Sequence, residues 1–428
     1  MSRPMSSFSD IESPAVNTLA IEELKTNTKR TGICTGFALV FGFIGFIMAA
    51  AAVAGVRQLM IESHEHSAIL TVGNASPLKG FRKAHSLYAG SGFWTSKKNL
   101  PVPLSDYQAV SHKTHVYIIG GQKGCNSTKC DGTVVDTVYQ YDTKLDKYNT
   151  SKASMPEKRY RYASAVVGDK IYIIGGLTAD TVTGMLKTTL IYDITNDSWS
   201  SGPKLAEGRS DTCAGVVDGK IYVVAGYNSI VPVKVLDTVE VLDTKAATPA
   251  WVTAPKLPAP RGDVTCASAG GKVYAIGGYY DPAGGWSPTA FADTMYELTP
   301  GAAAWAEKAK MPSSRGDKAA VTMSDGSIIV VGGETHAREE QTQVAAHPVE
   351  QYYPAHNTWV AKASIPTARF RFGAAVVDDI VYAIGGHRVC ETEYPENAAP
   401  ITDCAEKTLD SVEALLDVAH PDIWVHTN

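Results

Sequence analysis

Charged residues recur at a fixed distance ahead of a repeated glycine doublet. Fourteen positions back from the first residue of each doublet stand Asp106, Arg161, Asp211, Asp263 and Arg371 (120 − 106 = 14; 385 − 371 = 14). Asp317 is the sixth member, displaced by one because the turn that follows it is longer. Two residues earlier come Arg159, Arg209, Arg261, Arg315 and Arg369, with Leu104 in that place in the first copy. Guanidinium and carboxylate groups gathered at one mouth can hold carboxylates, sugar hydroxyls or a peptide through paired hydrogen bonds. The plainer use of the same residues is to pair with each other and with linker carbonyls, knitting repeat units together. The regularity of the pattern favours that use. Arg261-Gly-Asp263 and Arg315-Gly-Asp317 spell an adhesion tripeptide, but both fall on these positions and Arg209-Ser-Asp211 matches them. They read as repeat punctuation.

Other residues that could do chemistry are few. Trp286, on a Gly-rich loop, suits stacking on a sugar or peptide. His336, Arg338, Glu339, Glu340 and His347 share one loop and read as a solvated charged segment, and His64-Glu-His66 lacks the i, i+4 spacing of a helical zinc site. No metal site is assigned. No nucleophile elbow, Walker loop or dinucleotide fingerprint occurs, and no cofactor is expected. With 39 basic and 44 acidic residues the chain carries a net charge of −5, which argues against nucleic acid as a partner.

The elements that must position the charged residues are repeats. Val116-Tyr-Ile-Ile-Gly-Gly121 returns as Ile171–Gly176, Ile221–Gly226, Val273–Gly278, Ile328–Gly333 and Val381–Gly386, at steps of 55, 50, 52, 55 and 53 residues. A β-branched strand closed by a diglycine at such a period means repeated all-β units that bury their faces only by stacking. Each unit adds an apolar first strand, a tight turn such as Asp218-Gly219, a long loop, a third strand and a fourth with an aromatic near its start: Tyr148, Trp199, Trp251, Trp305, Trp359 and Trp424. The strands are labelled a to d from the axis outward. The glycines end strand b where backbone approaches the next unit too closely for a Cβ, and the strand-d aromatics cover the seams between units.

The doublets, the Tyr141-Asp142 and Tyr192-Asp193 pairs and the downstream Trp make the chain resemble kelch-repeat β-propellers from about Phe93 to the C-terminus. Ala225, Ile329 and Tyr148 depart from the pattern. The resemblance implies an all-β propeller of six four-stranded blades, with Phe93-Trp94-Thr95 locking the ring beside Ile423–Thr427. The alternative is a seventh, degenerate blade starting near Leu59. Kelch members include adaptors, receptors and enzymes, so the fold leaves activity open. The b–c loops are long and share a face with the d–a linkers, which makes that face the candidate working surface.

Ahead of the repeats, residues 31–56 carry no charge and as a helix would run about 39 Å. That is enough to span a bilayer as a signal anchor. Lys25, Lys29 and Arg30 precede it and only Arg57 follows closely, so residues 1–30 read as a cytoplasmic tail, 57–92 as a stalk and 93–428 as a luminal or extracellular propeller. Gly32 and Gly36 have the spacing of a helix-pairing motif, an expectation of a homodimer through the span. Sequons at Asn74, Asn126, Asn149 and Asn196 all follow the span. So do six of seven cysteines: Cys125 with Cys130 and Cys390 with Cys404 read as local disulfides. Cys213 and Cys266, at matching places in adjacent strands a, read equally as an inter-blade bond or as buried thiols. The expectation is a membrane-anchored, non-catalytic module for a protein or glycan. The rival is a carbohydrate-active enzyme of the galactose-oxidase-like or sialic acid epimerase type.

Overall fold

The computed structural model describes residues 92–126, 129–178, 185–230, 233–280, 290–336, 343–388 and 407–416. These residues contain no α-helix and form six four-stranded antiparallel sheets. Blade 1 comprises Ala109–His112, His115–Ile119, Val138–Asp142 and Lys147–Asn149. Blade 2 comprises Ala163–Val167, Lys170–Ile174, Thr189–Asp193 and Ser198–Ser201. Blade 3 comprises Cys213–Val217, Lys220–Val224, Val239–Asp243 and Trp251–Ala254. Blade 4 comprises Thr265–Ala269, Lys272–Ile276, Met295–Leu298 and Ala306–Lys308. Blade 5 comprises Ala319–Thr322, Ile328–Val331, Val349–Tyr353 and Thr358–Ala361. Blade 6 takes Gly373–Val377, Ile380–Ile384 and Val412–Leu416 from the far end of the chain and Phe93–Lys97 from upstream.

Burial falls from the middle of each blade outward. In blade 2 the b strand Lys170–Ile174 is buried from Ile171 on, whereas the d strand Ser198–Ser201 is largely exposed. A strand sandwiched on both faces must be apolar on both, which is why the b strands read as continuous Ile-Tyr-Val runs. Asp218 and Gly219 both take positive φ (53° and 80°), the backbone a two-residue hairpin turn demands. Successive a strands neighbour one another round the axis, and Gly373–Val377 meets Ala109–His112 to complete the circuit.

Three belts of hydrogen bonds tie each blade to the next. In the innermost, the backbone N–H of Asp106 donates to Arg371, Arg161 to Asp106, Asp211 to Arg161, Asp263 to Asp211, Asp317 to Asp263 and Arg371 to Asp317, at 2.8–3.2 Å. That cycle is closed. In the second, the N–H of the last doublet glycine donates to the following linker, from Gly121 to Arg159 (2.9 Å) round to Gly386 and Leu104 (2.8 Å). The third is made by strand-d aromatics. The indole N–H groups of Trp199, Trp251, Trp305, Trp359 and Trp94 donate to the carbonyls of Ala153, Pro203, Pro255, Ala309 and Ala363, and the Tyr148 hydroxyl donates to Lys98.

The glycine doublet is required by the second belt. At Gly175 (φ 69°) a Cβ would lie 2.5 Å from the Arg209 carbonyl, and at Gly176 (φ 92°) 2.7 Å from that of Tyr160. Ala225 occupies the first doublet position of blade 3 at φ 57°, a conformation that costs an L-residue roughly 1–2 kcal/mol. Ala225→Gly is therefore expected to raise the unfolding free energy by about 1 kcal/mol in chemical denaturation. An unchanged or lower value contradicts this.

One expectation is corrected. The fourth strand of the last blade is Phe93–Lys97, paired with Val412–Leu416 in register Phe93↔Leu416 to Lys97↔Val412, and the aromatic that bonds across its seam is Trp94; Trp424, expected in that place, lies outside the described residues. The last unit contributes three strands and the upstream segment the fourth, so the ring closes by pairing strands from both ends of the repeat array. Ile423–Thr427 lies outside the described residues. So do residues 1–91, with the tail, the span, the stalk, Asn74 and the degenerate-blade alternative, and likewise Trp286, Cys390 and Cys404.

Candidate functional site

Five linkers have the form Arg-x-Asp or Arg-x-Arg and the first is Leu104-Ser105-Asp106; the middle residue of each pairs with the residue just after its own blade's doublet: Ser105 with Gln122, Tyr160 with Leu177, Ser210 with Tyr227, Gly262 with Tyr279, Gly316 with Glu334 and Phe370 with His387. The linkers and the bases of the b–c loops therefore share one face. From that face rise short hairpins: Gln122–Asn126 with Lys129–Val134, Tyr227–Ile230 with Val233–Val235, Glu334–His336 with Gln343–Ala345, and His387–Arg388 with Lys407–Thr408. Cys125 and Cys130 are register partners in the first of them.

The charged linker residues divide into two sets with different surroundings. The outer arginines are buried in the blades. Arg209 donates from Nη1 to the Ala225 and Thr238 carbonyls (3.0 and 2.9 Å) and from Nη2 to Glu240 (2.9 Å). Arg315 does the same with Gly332, Pro348 and Glu350, and Arg369 with Gly385, Ser411 and Glu413. Arg159 binds Gly175, Thr188 and Glu157, while Arg261 donates to Thr294. The guanidinium groups of Arg159, Arg209, Arg315 and Arg369 each tie the end of strand b to the start of strand c inside one blade. Burial alone pushes Arg209, Arg315 and Arg369 below the ordinary arginine range, and a carboxylate partner pulls each back. Glu240, Glu350 and Glu413 follow Val239, Val349 and Val412 at the second position of strand c. Comparing these three repeats would have revealed a charge on an otherwise apolar strand.

The inner residues converge on the axis. Asp106, Arg161, Asp211, Asp263, Asp317 and Arg371 all take positive φ, between 46° and 58°. Aspartate tolerates that region; arginine rarely adopts it. The conformation is imposed by the innermost belt, which fixes both backbone groups of every member. Arg161 reaches Asp106 (2.7 Å) and Asp211 (3.4 Å), and Arg371 reaches Asp317 (2.7 Å), Asp106 (3.8 Å) and Glu334 (4.0 Å). Tyr227 donates to Asp263 (2.9 Å) and Ser210 to Asp211 (2.8 Å).

Four aspartates and Glu334 thus face two arginines, and the imbalance gathers on one side. Asp211, Asp263 and Asp317 bring carboxylate oxygens within 4.8 Å of one another. Burial, then repulsion from Asp317 and Asp211, raises the Asp263 carboxyl well above its usual range, and Asp211 is raised for like reasons. Asp106 is the opposite case: burial would raise it, but Arg161, His387 and Arg371 together hold it far below. Burial raises Glu334 to about 8, with Asp317 reinforcing the rise against the pull of Arg371. A carboxyl raised in the folded state gives stability that is fully present below its unfolded value and lost as the pH climbs through about 8. Glu334→Gln cannot ionise and keeps a donor for Asp317. Its melting temperature relative to the parent is expected to climb between about pH 5 and 9, and a difference that stays flat contradicts this.

Ser105, His387 and Asp106 also meet here, yet not as a catalytic triad. The Ser105 hydroxyl (2.8 Å) and Asp106 (3.2 Å) share the same His387 nitrogen, Nε2, Nδ1 faces Thr408 at 3.4 Å, and Ser105 is fully buried. A triad needs its acid on the nitrogen opposite the nucleophile. The cavity under the ring holds about 70 Å³, far short of the ~300 Å³ at the lower end of small-molecule pockets. A deeper axial cavity of about 190 Å³ is lined by Cys213 and Cys266, which form a disulfide with their Cα atoms 5.3 Å apart. A groove of about 320 Å³ between blades 2 and 3, lined by Tyr172, Ile191, Leu242 and Pro249, brings no acid–base pair together.

A family profile described as the Attractin/LZTR1 β-propeller matches residues 116–393. The chain is similar to Kelch-like protein terF of Aspergillus terreus, 29% identical over 362 residues that cover 78% of this chain and 74% of that protein. Kelch-like protein 25 of Xenopus tropicalis is 24% identical over 304 residues, covering 68% and 47%. Kelch repeat and BTB domain-containing protein 12 of Homo sapiens is 30% identical over 148 residues, 32% and 23%. The chain thus spans less than half the length of the latter two. A solved structure titled "Structure of YjhT" superposes with a TM-score of 0.56 at 16% identity, covering 73% of this chain and 95% of that one.

Proposed function

The chain belongs to the kelch-repeat β-propellers, and on that premise we propose that its propeller is a six-bladed, non-catalytic module that binds a protein on the linker face. The supporting observation is the asymmetry of the connections. Two-residue turns such as Asp218-Gly219 close the a–b hairpins, whereas b–c hairpins stand up from the linker face on a frame locked by three hydrogen-bond belts. Projecting loops on a rigid support are where binding residues collect. The inner ring closes the axis beneath them, with Arg161 and Arg371 paired to Asp106, Asp211 and Asp317, and with a cavity too small for a sugar ring. An enzyme acting on carbohydrate at the axis would have to open it.

The reading extends to placement: residues 31–56 anchor the chain, residues 1–30 lie in the cytoplasm, and the propeller lies in the secretory lumen or outside the cell. The charge asymmetry around the span supports this. So do the exposed Asn149 and Asn196 of two sequons and the Cys213–Cys266 bond, a linkage characteristic of oxidising compartments.

The test shortens the hairpin tips at 229–234 and 336–343, leaving the belts intact. Cross-linking on intact membranes is expected to show partner proteins of the parent lost at least tenfold in the shortened form, with an unchanged melting temperature. Retention of the same partners, bound copper or sugar turnover would refute the proposal. Glycan-array binding by the parent alone would move the partner class from protein to glycan. Glycosidase shift and protease protection on the same membranes check placement: a glycosylated, protected propeller is expected, and an unshifted, protease-accessible one contradicts the anchor orientation.

A further inference from the structure

At three seams a strand-b tyrosine meets a strand-c tyrosine of the next blade. Tyr117 lies against Tyr192 with ring centroids 6.2 Å apart, Tyr274 against Tyr352 at 6.0 Å and Tyr382 against Tyr141 at 6.0 Å. The strand-d aromatic holds the strand-c ring in turn, as Trp199 holds Tyr192 (5.0 Å) and Trp359 holds Tyr352 (5.1 Å). Between blades 2 and 3 the second ring is missing. Leu242 takes its place in the cluster around Tyr172, and the step from strand c to the strand-d aromatic is two residues longer than in blade 2 (251 − 242 = 9; 199 − 192 = 7). The groove of about 320 Å³ lies here, walled by Tyr172, Ile191, Gly202, Pro203, Leu242 and Pro249. Between blades 3 and 4 Leu298 also replaces the tyrosine, but the shorter step is kept (305 − 298 = 7) and Ala302 packs into the cluster of Tyr222.

Tyr172 also lacks a partner for its hydroxyl within its own blade. Opposite Tyr117 stands Gln140, whose Nε2 donates to the hydroxyl at 2.8 Å, and opposite Tyr274 stands Glu297, which accepts from it at 2.8 Å. Opposite Tyr172 stands Ile191, which is itself a wall of the groove. Among the described residues the Tyr172 hydroxyl makes no hydrogen bond; the residue is only 7% exposed, yet its oxygen is not sealed from solvent. A hydroxyl in an apolar wall without a partner is costly until something supplies one. We propose that this groove binds a small neutral phenol, whose ring takes the place of the absent tyrosine and whose hydroxyl bonds to that of Tyr172. The walls select the class. Apart from Tyr172 no ionisable side chain lines the groove, so a charged ligand would lose its hydration without compensation. A volume at the lower end of small-molecule pockets suits a single ring, and an aromatic ring gains from a tilted or edge-on approach to Tyr172. Burial raises the Tyr172 hydroxyl above its ordinary range, so it remains a donor at neutral pH.

The test is a fluorine NMR titration of 4-fluorophenol and of fluorobenzene against the full chain in detergent at neutral pH. The parent, Leu242→Tyr and Tyr172→Phe are measured in the same detergent, so that partition into micelles is common to all three. The parent is expected to bind 4-fluorophenol saturably, about three- to tenfold more tightly than fluorobenzene, the difference that one hydrogen bond makes. Leu242→Tyr restores the missing ring and is expected to abolish saturable binding of both probes. Tyr172→Phe removes a single oxygen; fluorobenzene is expected to bind it as it binds the parent, while the preference for 4-fluorophenol disappears. If Leu242→Tyr does not fold, Tyr172→Phe decides alone. No saturable binding by the parent, undiminished binding by folded Leu242→Tyr, or a preference that survives in Tyr172→Phe overturns the proposal.

Discussion

Replacing Arg371 with methionine is expected to lower the unfolding free energy by about 3–5 kcal/mol at neutral pH, the cost of breaking a buried ion pair from one side. Arg371 is the cation through which Asp317, Asp106 and Glu334 share compensation, at 2.7, 3.8 and 4.0 Å. Methionine keeps the length of the side chain and much of its packing against the Phe370 ring, over which the guanidinium lies at 5.2 Å. The loss is therefore electrostatic, and it carries a signature. Without the arginine the carboxyls bind protons more readily in the folded state, so the deficit is expected to narrow as the pH falls from about 7 to 5. Denaturation at a series of pH values checks both statements. A deficit below about 1 kcal/mol, or one indifferent to pH, means that the ring is not held by charge compensation.

Trp94→Ala is expected to cost a similar amount, about 3–5 kcal/mol, although the residue lies in the first described strand, far in sequence from the blade it completes. Its indole is 6% exposed, packs with Ile365, Val381 and Leu415, and donates to the Ala363 carbonyl at 2.8 Å. Removing it strips the closing strand of its main attachment and opens the seam between blades 5 and 6. Local opening should accompany the global loss. Hydrogen exchange in Val412–Leu416 and Ile380–Ile384 is expected to rise more than in blade 2 or 3, because only blade 6 loses an outer strand. Uniform exchange across the blades contradicts the assignment of residues 93–97 as the closing strand.

The repeat and its chemistry were legible in unequal parts. Glycine doublets, seam aromatics and hairpin turns are visible in a single sequence because each meets a backbone or packing demand that few residue types satisfy. Trp94 was legible as a strand-d motif, but its partner was not. Pairing across the whole array depends on which end supplies the missing strand, and Trp424 offered an equally good local match. The linker charges were found as one pattern, although the fold uses them in two ways. Sequence spacing cannot tell that Arg209 turns into its blade toward Glu240 while Asp211, two residues on, turns to the axis, since that depends on the positive φ between 46° and 58° shared by the inner six. Glu334 and His387 were missed at inner positions. Their only signal is that each breaks a repeat column occupied elsewhere by other residue types, such as Leu177 and Tyr227.

The faces, the ring and both axial cavities depend on closure by the strand Phe93–Lys97. Because Phe93 lies opposite Leu416, the double variant Phe93→Cys with Leu416→Cys, oxidised and mapped as disulfide-linked peptides, tests that closure directly. A peptide containing position 93 joined to one containing position 416 is the predicted result. Absence of that link under conditions where the Cys213–Cys266 bond is found intact, or capture of position 93 by another cysteine, would contradict the closed six-blade ring.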